Sequence, residues 1–570
     1  MSRPSPQPVA VRTHSGAARH ASRCITIEDR NLLRGSSMSD VLSCFGWPFG
    51  GGDPTEAHFE LSAPVVGVDA FLSHNWSTTR CDKFLALAFF FNWPAAAITV
   101  SAVEAATLAL SASGRLPYVE HMRFASSRDH GVCMEMSMWC QALGLVALFV
   151  GLFLGQDIAK LFKLRTPTVF LDRTCVCQTD PVRKRKGIEA LAAILSNSRS
   201  IVVLYSDVYL QKLWTVYEVA TFLFLHPQGK LKWLPVIFPK VVFSGLVLVS
   251  LSRLCLSLFS TKLVQDTVMV DARHVRYASW LVRWALMLPC ITAFSLILRQ
   301  WAKQQALMKR RLRKFTIAEA SCLEENDREI IMGNVAVFAK YFRHVEPTAT
   351  EEEALAEFDK MIHTELPRLL LSSLGPIGIP YRYSVVMFSV YLFYALDHTA
   401  GIIRDGWDTE IRAETFHSHG IRKRWHLWYR DTLFCIAVAC FVGPLAVALC
   451  SWLSSVWRKS CSGAVSATIG LIVTTFYFLS VFAISELFHI DSSWSLAIGT
   501  AAVLAYMACA LLVYRPCRRC RDRCCSSARR RRRRRVGRRP TNFSASSTSS
   551  ESSNSLSDDD SASDGFAAPA

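Results

Sequence analysis

Three apolar runs in this chain end in polar residues whose types could do chemistry. "VVGVDAFLSHNW" ends in Ser73, His74 and Asn75, "TPTVFLD" in Asp172 with Arg173 behind it, and "SIVVLYS" in Ser206 and Asp207. After the third run comes "LWTVYEVATFLFL", where Trp214 and Glu218 stand four residues apart, on one face of a helix. A single acid in an aromatic helix is either a charge beside packed rings or a group that holds a proton or stabilises positive charge. Between the second and third runs, "RTCVCQTDPVRKRKG" carries Cys175, Cys177 and the cations Arg183, Lys184, Arg185 and Lys186. The two thiols are too close for a favourable mutual disulfide and have no accompanying histidine, so no metal site is expected. The cations make either an anion site or a solvated or lipid-facing basic face.

The elements that must position these groups read as an open α/β sheet. The three runs are short strands, "LPVIF" is a further candidate, and "RKRKGIEALAAILSNS" supplies a helix with Ile188, Leu191 and Leu195 on one face. Such strands between amphipathic helices form a parallel sheet, and ligands of parallel sheets sit at the carboxyl ends of the strands. No strand is followed by G-x-G-x-x-G, G-K-[ST] or G-x-S-x-G, which excludes Rossmann, P-loop and hydrolase-elbow readings.

"VDAFLSH", "VFLD" followed by "GIEAL", and "SRSIVVLYSDVYLQKLWTVYEVA" together resemble the Toll/interleukin-1 receptor (TIR) domain. The resemblance is strongest to divergent TIR-like versions in multi-pass membrane proteins of protists and algae, and it covers about 90 residues in two pieces. The S-x-x-Y and W-x-x-x-E parts of the family pattern are present, with Thr215 where the family usually has Cys and Val219 where it usually has Leu. The resemblance implies a flavodoxin-like parallel sheet. In TIR domains that cleave NAD it implies a catalytic glutamate, here Glu218, stabilising an oxocarbenium-like state as nicotinamide leaves. It further implies nucleotide contacts from Ser73, His74, Asn75, Asp172, Arg173, Arg183, Lys184 and Trp214. NAD would then be a substrate, and no resident cofactor is expected.

The rest of the chain is built for lipid. Of 570 residues, 51% are hydrophobic and only 19% charged, which marks a membrane protein. Eight stretches are long enough to cross a bilayer: 84–110, 137–157, 236–258, 278–297, 384–402, 432–452, 465–487 and 492–513. The first two form a hydrophobic hairpin, 84–157, inside the TIR-like region 65–240, so the sheet must close across it. Glu104 and Asp397 lie in two of these stretches, either as structural groups or as part of a transport path. The basic loop "RQWAKQQALMKRRLRKF" and the tail "RPCRRCRDRCCSSARRRRRRRVGRR" both face the cytosol in an eight-span topology, with the termini and the TIR-like domain. "IRKRWHLWYR" then falls on the opposite face, against that rule.

Segment 1–60 reads as a disordered basic head, 300–380 as a cytosolic helical segment, and 514–570 as a disordered tail, basic and then rich in serine and acid. Cys517, Cys520, Cys524 and Cys525, just below the last span, are lipidation candidates, and the arginines after them suit an anionic leaflet better than nucleic acid. Ser555 and Ser557 precede three aspartates and suit an acidophilic kinase. The expected function is a membrane-anchored TIR-like signalling or self-association module, binding its own copies or other TIR-like domains. The alternatives are an NAD glycohydrolase and a transporter or channel.

Overall fold

A computed structural model describes residues 25–515 apart from internal segments, the longest being 408–423 and 260–271. The four tail cysteines, the arginine run and the serine-rich end lie outside the described residues. The chain is mainly helical, with a six-stranded mixed sheet in the order β2-β1-β6-β3-β7-β8. Its strands are β1 (Arg34–Ser37), β2 (Ser62–Pro64), β3 (Ala70–His74), β6 (Thr168–Phe170), β7 (Ser200–Tyr205) and β8 (Lys230–Pro235). A separate hairpin pairs β4 (Val119–Arg123) with β5 (Val132–Met136). β6, β3, β7 and β8 run parallel, while β1 lies antiparallel between β2 and β6.

Both faces of the sheet are covered, so its central strands are apolar throughout rather than alternating with polar residues. Leu72, Val169, Val202 and Leu204 pack on one face against Met38, Phe84 and Leu87. Phe71, Phe170, Ile201 and Val203 pack on the other against Ile194, Val216 and Ala220.

Two boundaries differ from the sequence expectation. The sheet begins at Arg34, inside the segment read as a disordered head. "RGSS" carries no apolar alternation and is a strand because it pairs with the edge of β6, where a Cβ at Gly35 would meet Thr168 Cγ2 at 2.6 Å. The last strand is "KLKWLP" rather than "LPVIF", because a long helix already starts at Phe238.

The sheet closes across the apolar insertion. β3 and β6 pair as Ala70↔Val169 and Phe71↔Phe170, although the whole hairpin lies between them in sequence. The expected span 84–110 is two helices broken at Asn92. Arg80–Phe91 lies on the sheet, and Trp93–Ala112, with Pro94 in its first turn, pairs antiparallel with Trp139–Leu161. Close approach is made by Gly151, where a Cβ would meet Ala96 Cα at 2.4 Å, and by a buried bond from Asn92 Nδ2 to the Leu152 carbonyl at 2.8 Å.

Six described helices are long and apolar enough to cross a membrane: Trp93–Ala112, Trp139–Leu161, Phe238–Leu258, Trp425–Val456, Gly463–Leu487 and Leu496–Tyr514. Tyr381–Met387 and Val390–Asp405, bent at 52°, would together make a seventh. The stretch 278–297 lies within the helix Ala272–Lys314 and is not among the six. Asp397 has a structural partner: its carboxylate accepts the backbone N–H groups of Cys140 at 2.9 Å and Gln141 at 3.0 Å, capping the helix Trp139–Leu161 from a neighbouring helix. Glu104 is buried against Gly144 in the same layer.

Gly151→Leu is expected to destabilise the chain by about 1–3 kcal/mol through overpacking of the hairpin. Gly463→Ala, where a Cβ meets nothing within 4 Å, should leave the thermal midpoint in detergent nearly unchanged. Thermal unfolding of the two variants checks the contrast.

Candidate functional site

The carboxyl ends of β3 and β6 gather the polar residues picked out in the sequence, but side-chain alternation splits them between the two faces. Ser73 points to the face covered by the helix Leu213–Leu225. There its hydroxyl donates to Glu218 Oε2 at 2.5 Å and also bonds the Tyr209 hydroxyl, which donates in turn to the Thr215 carbonyl at 3.3 Å. Thr215 Oγ1 donates back to the Tyr209 and Lys212 carbonyls, which ties the start of the helix to the turn before it.

Glu218 keeps only 9% of its surface exposed. Burial pushes its carboxyl well above the usual carboxylate range, the negative Asp172 adds to the rise, and the Ser73 hydroxyl opposes it. Burial likewise raises the Tyr209 phenol, with the charge of Glu218 as the second cause. When Glu218 is protonated the first bond reverses: the carboxyl O–H donates to Ser73 Oγ, the Ser73 hydroxyl is freed to donate to Tyr209, and Tyr209 donates to the Thr215 carbonyl, so that each donor has an acceptor.

His74 points the other way. Its ring meets Phe49 edge-on at 5.5 Å, and Nδ1 lies 3.7 Å from Asp172 Oδ1. Burial lowers its pKa to about 4 despite Asp172, so the ring is neutral near pH 7. Asp172 accepts the Trp76 indole N–H at 2.6 Å, and the Arg173 guanidinium lies over the Trp76 ring at 5.1 Å while donating to the Gly52 carbonyl at 2.9 Å. Lys83 is fully buried beside them. It donates to the Trp76 carbonyl at 3.2 Å, and burial, reinforced by Arg173, lowers its pKa to about 8 against the pull of Asp172.

Among the described residues, His74 Nε2, Asn75 Nδ2 and Arg173 Nε are buried without a hydrogen-bond partner. Three orphaned nitrogens close together at the strand ends leave this rim with hydrogen-bonding capacity that a polar ligand could satisfy.

The other sequence candidates lie elsewhere. Trp214 donates to Asp327 Oδ2 at 3.2 Å, on the helix Glu325–Arg343, and meets Tyr217 edge-on. Arg183 and Lys184 lie on the helix Pro181–Glu189, capped by Asp180, with Arg183 63% exposed and 3.7 Å from Asp180. Ser206 and Asp207 follow the end of β7, next to β3, and the Asp207 carbonyl accepts from Arg311 of the long helix. Cys175 is buried and Cys177 hydrogen-bonds Thr179 at 3.5 Å. Tyr209 and Lys83 were not picked out from sequence. Tyr209 is the tyrosine of the S-x-x-Y pattern, a usable signal, whereas Lys83 is hidden at the head of an apolar run.

No protein-family model, curated protein or solved structure matches the chain.

Glu218→Gln is expected to fold with less than about 1 kcal/mol of loss, because it replaces a neutral acid with a neutral isostere. Glu218→Ala should lose about 2–4 kcal/mol through the cavity and the lost bond to Ser73. The folded-state pKa of Glu218 is raised, so its stabilising effect is complete below the unfolded value of about 4.3 and declines as pH rises towards the folded value. Denaturant unfolding should therefore show Glu218→Gln gaining on the parent as pH rises from about 4 to 7. His74 has the opposite sign. Its stabilising effect is present above about pH 6.5 and is lost as pH falls towards 4, by on the order of 3 kcal/mol. His74→Gln should flatten that acid limb.

Proposed function

We propose that this is an integral, multi-pass membrane protein holding a TIR-like α/β module at the cytosolic face, and that the module works by association with its own copies or with other TIR-like domains. Six helices long and apolar enough to span a bilayer support the membrane reading. Taken in chain order, the parallel strands lie second, first, third, fourth, which is the flavodoxin-type arrangement that TIR domains share and so supports the module's kinship.

The observation that carries the non-catalytic reading is the engagement of Glu218. Its carboxyl is held inside a hydrogen-bond network between helix and sheet. The helix bearing it is covered on its outer side by Glu325–Arg343 and Glu351–Leu374, with Phe224 against Phe342 and Phe358. An acid used in this way positions the helix against β3. Tethering such modules to a bilayer raises their effective concentration, so that weak contacts become sufficient for association.

A second reading, NAD cleavage, draws support from the orphaned nitrogens of His74, Asn75 and Arg173, which would suit a nucleotide at the rim. The transporter reading loses support from Asp397, whose carboxylate serves as a helix cap.

Two measurements on the full chain in liposomes test the proposal. Energy transfer between labelled copies is expected to rise with protein density beyond the level of random proximity, and no nicotinamide is expected from NAD. Copies that stay independent at every density would sink the association reading. Nicotinamide release that disappears in the folded Glu218→Gln variant would replace it with a glycohydrolase.

A further inference from the structure

At the end of the sheet opposite the rim, the starts of the parallel strands frame an open groove of about 370 Å³. Its lining includes Arg165, Arg199, Lys230 and Lys232, with Phe90 and Phe91 as its aromatic side chains and Asp69 as the one carboxylate. Asp69 engages the two arginines, Arg199 at 2.9 Å and Arg165 at 3.7 Å, and accepts the Thr168 N–H at 3.1 Å. It is therefore a strut that holds two guanidinium groups at the groove. Among the described residues, Lys230 and Lys232 have no carboxylate within 4 Å, and both are exposed. Four cations face one carboxylate, which leaves the groove strongly positive and chemically suited to a phosphate-bearing anion.

Its surroundings separate a lipid headgroup from a free anion. The helix carrying Phe90 and Phe91 leads through Asn92 into Trp93–Ala112, and Arg165 follows Leu161, the last residue of Trp139–Leu161, by four positions. The groove thus borders the module-side ends of two span-length helices. In the segment leading to Arg165, Leu161, Phe162 and Leu164 are 78%, 69% and 61% exposed and are interspersed with Lys160, which pairs with Asp40 at 2.9 Å, and Lys163. Large exposed apolar side chains interleaved with cations match the boundary between acyl chains and headgroups, where the rings and aliphatic chains enter lipid and the charges stay at phosphate level. A soluble anion would need the cations but not this apolar apron.

We propose that the groove is a specific site for the phosphorylated headgroup of an anionic membrane lipid. Phe90, Phe91 and the Leu161–Leu164 apron lie against the acyl region, and Arg165, Arg199, Lys230 and Lys232 hold the phosphate. The inference rests on the membrane reading above. Its consequence is that lipid composition sets how firmly the base of the sheet is held to the bilayer.

The test uses the full chain reconstituted in phosphatidylcholine, with and without a phosphoinositide, and counts retained lipids by native mass spectrometry. One phosphoinositide per chain should be retained in preference to phosphatidylcholine. Its affinity should fall by about tenfold or more in the Lys230→Glu, Lys232→Glu double variant, since each cation near the surface contributes on the order of one decade or slightly less. Millimolar inorganic phosphate should not displace it. If the double variant fails to fold, Arg165→Glu, at a side chain 81% exposed, should give a loss in the same direction. Equal retention by parent and folded variant overturns the site. Displacement by inorganic phosphate overturns the lipid assignment in favour of a free-anion site. Alkaline carbonate extraction keeps the premises apart: a chain released from vesicles overturns the membrane reading and this inference with it, whereas a retained chain with no lipid preference overturns this inference alone.

Discussion

The pairing of β3 with β6 is the constraint on which the rest of the structure depends. Two neighbouring strands must lie about 4.8 Å apart to share hydrogen bonds, yet between Phe71 and Phe170 the chain leaves the sheet and runs through two long apolar helices. Only an insertion that returns to its starting point can meet that demand, and an antiparallel helix pair does so. The small residues where the helices touch, the Asn92 bond to the Leu152 carbonyl and the Asp397 cap on Trp139–Leu161 all fasten this return path. Asn92 and Asp397, polar groups inside the apolar layer, thus have structural partners along this path.

A second consequence follows from the pleat of β3. Successive side chains project to opposite faces, so Ser73 and His74, adjacent in sequence, belong to different environments. Ser73 joins Glu218 and Tyr209 under the helix Leu213–Leu225, where burial favours a neutral acid. His74 joins Phe49, Lys83, Asp172 and Trp76 on the other side, where burial favours a neutral imidazole. What the sequence presents as one polar turn is a hydrogen-bond anchor on one face and a partly unsatisfied rim on the other. The two share a strand end and the field of Asp172.

The outer helices complete the burial of the helix that carries the acid. The Leu213–Leu225 helix is buried on nearly every side, which an all-round apolar helix requires. Its outer cover comes from residues more than 100 positions downstream, as the Trp214 to Asp327 bond shows. With that cover in place the aromatic side chains of the helix are packed on both sides, and the Glu218 carboxyl is hydrogen-bonded to Ser73 of β3.

Local pattern determined much of the fold. The apolar strand runs, the long apolar helices, the parallel pairing of four strands and the need to close the sheet across a hairpin were legible in sequence, whereas the antiparallel β1 and β2 that make the sheet mixed were not. The polar strand ends were also identified, since a short apolar run and its terminating turn are contiguous. Tertiary structure alone decided which face each polar residue takes, that Arg34–Ser37 is a strand with no strand-like pattern of its own, and that a helix read as one span breaks at Asn92. It also made Lys83 part of the rim and Trp214 a partner of Asp327. The physical reason is the same in each case: strand edges, helix covers and buried hydrogen bonds are completed by partners far away in sequence, and a linear pattern specifies which groups need a partner without specifying where that partner lies.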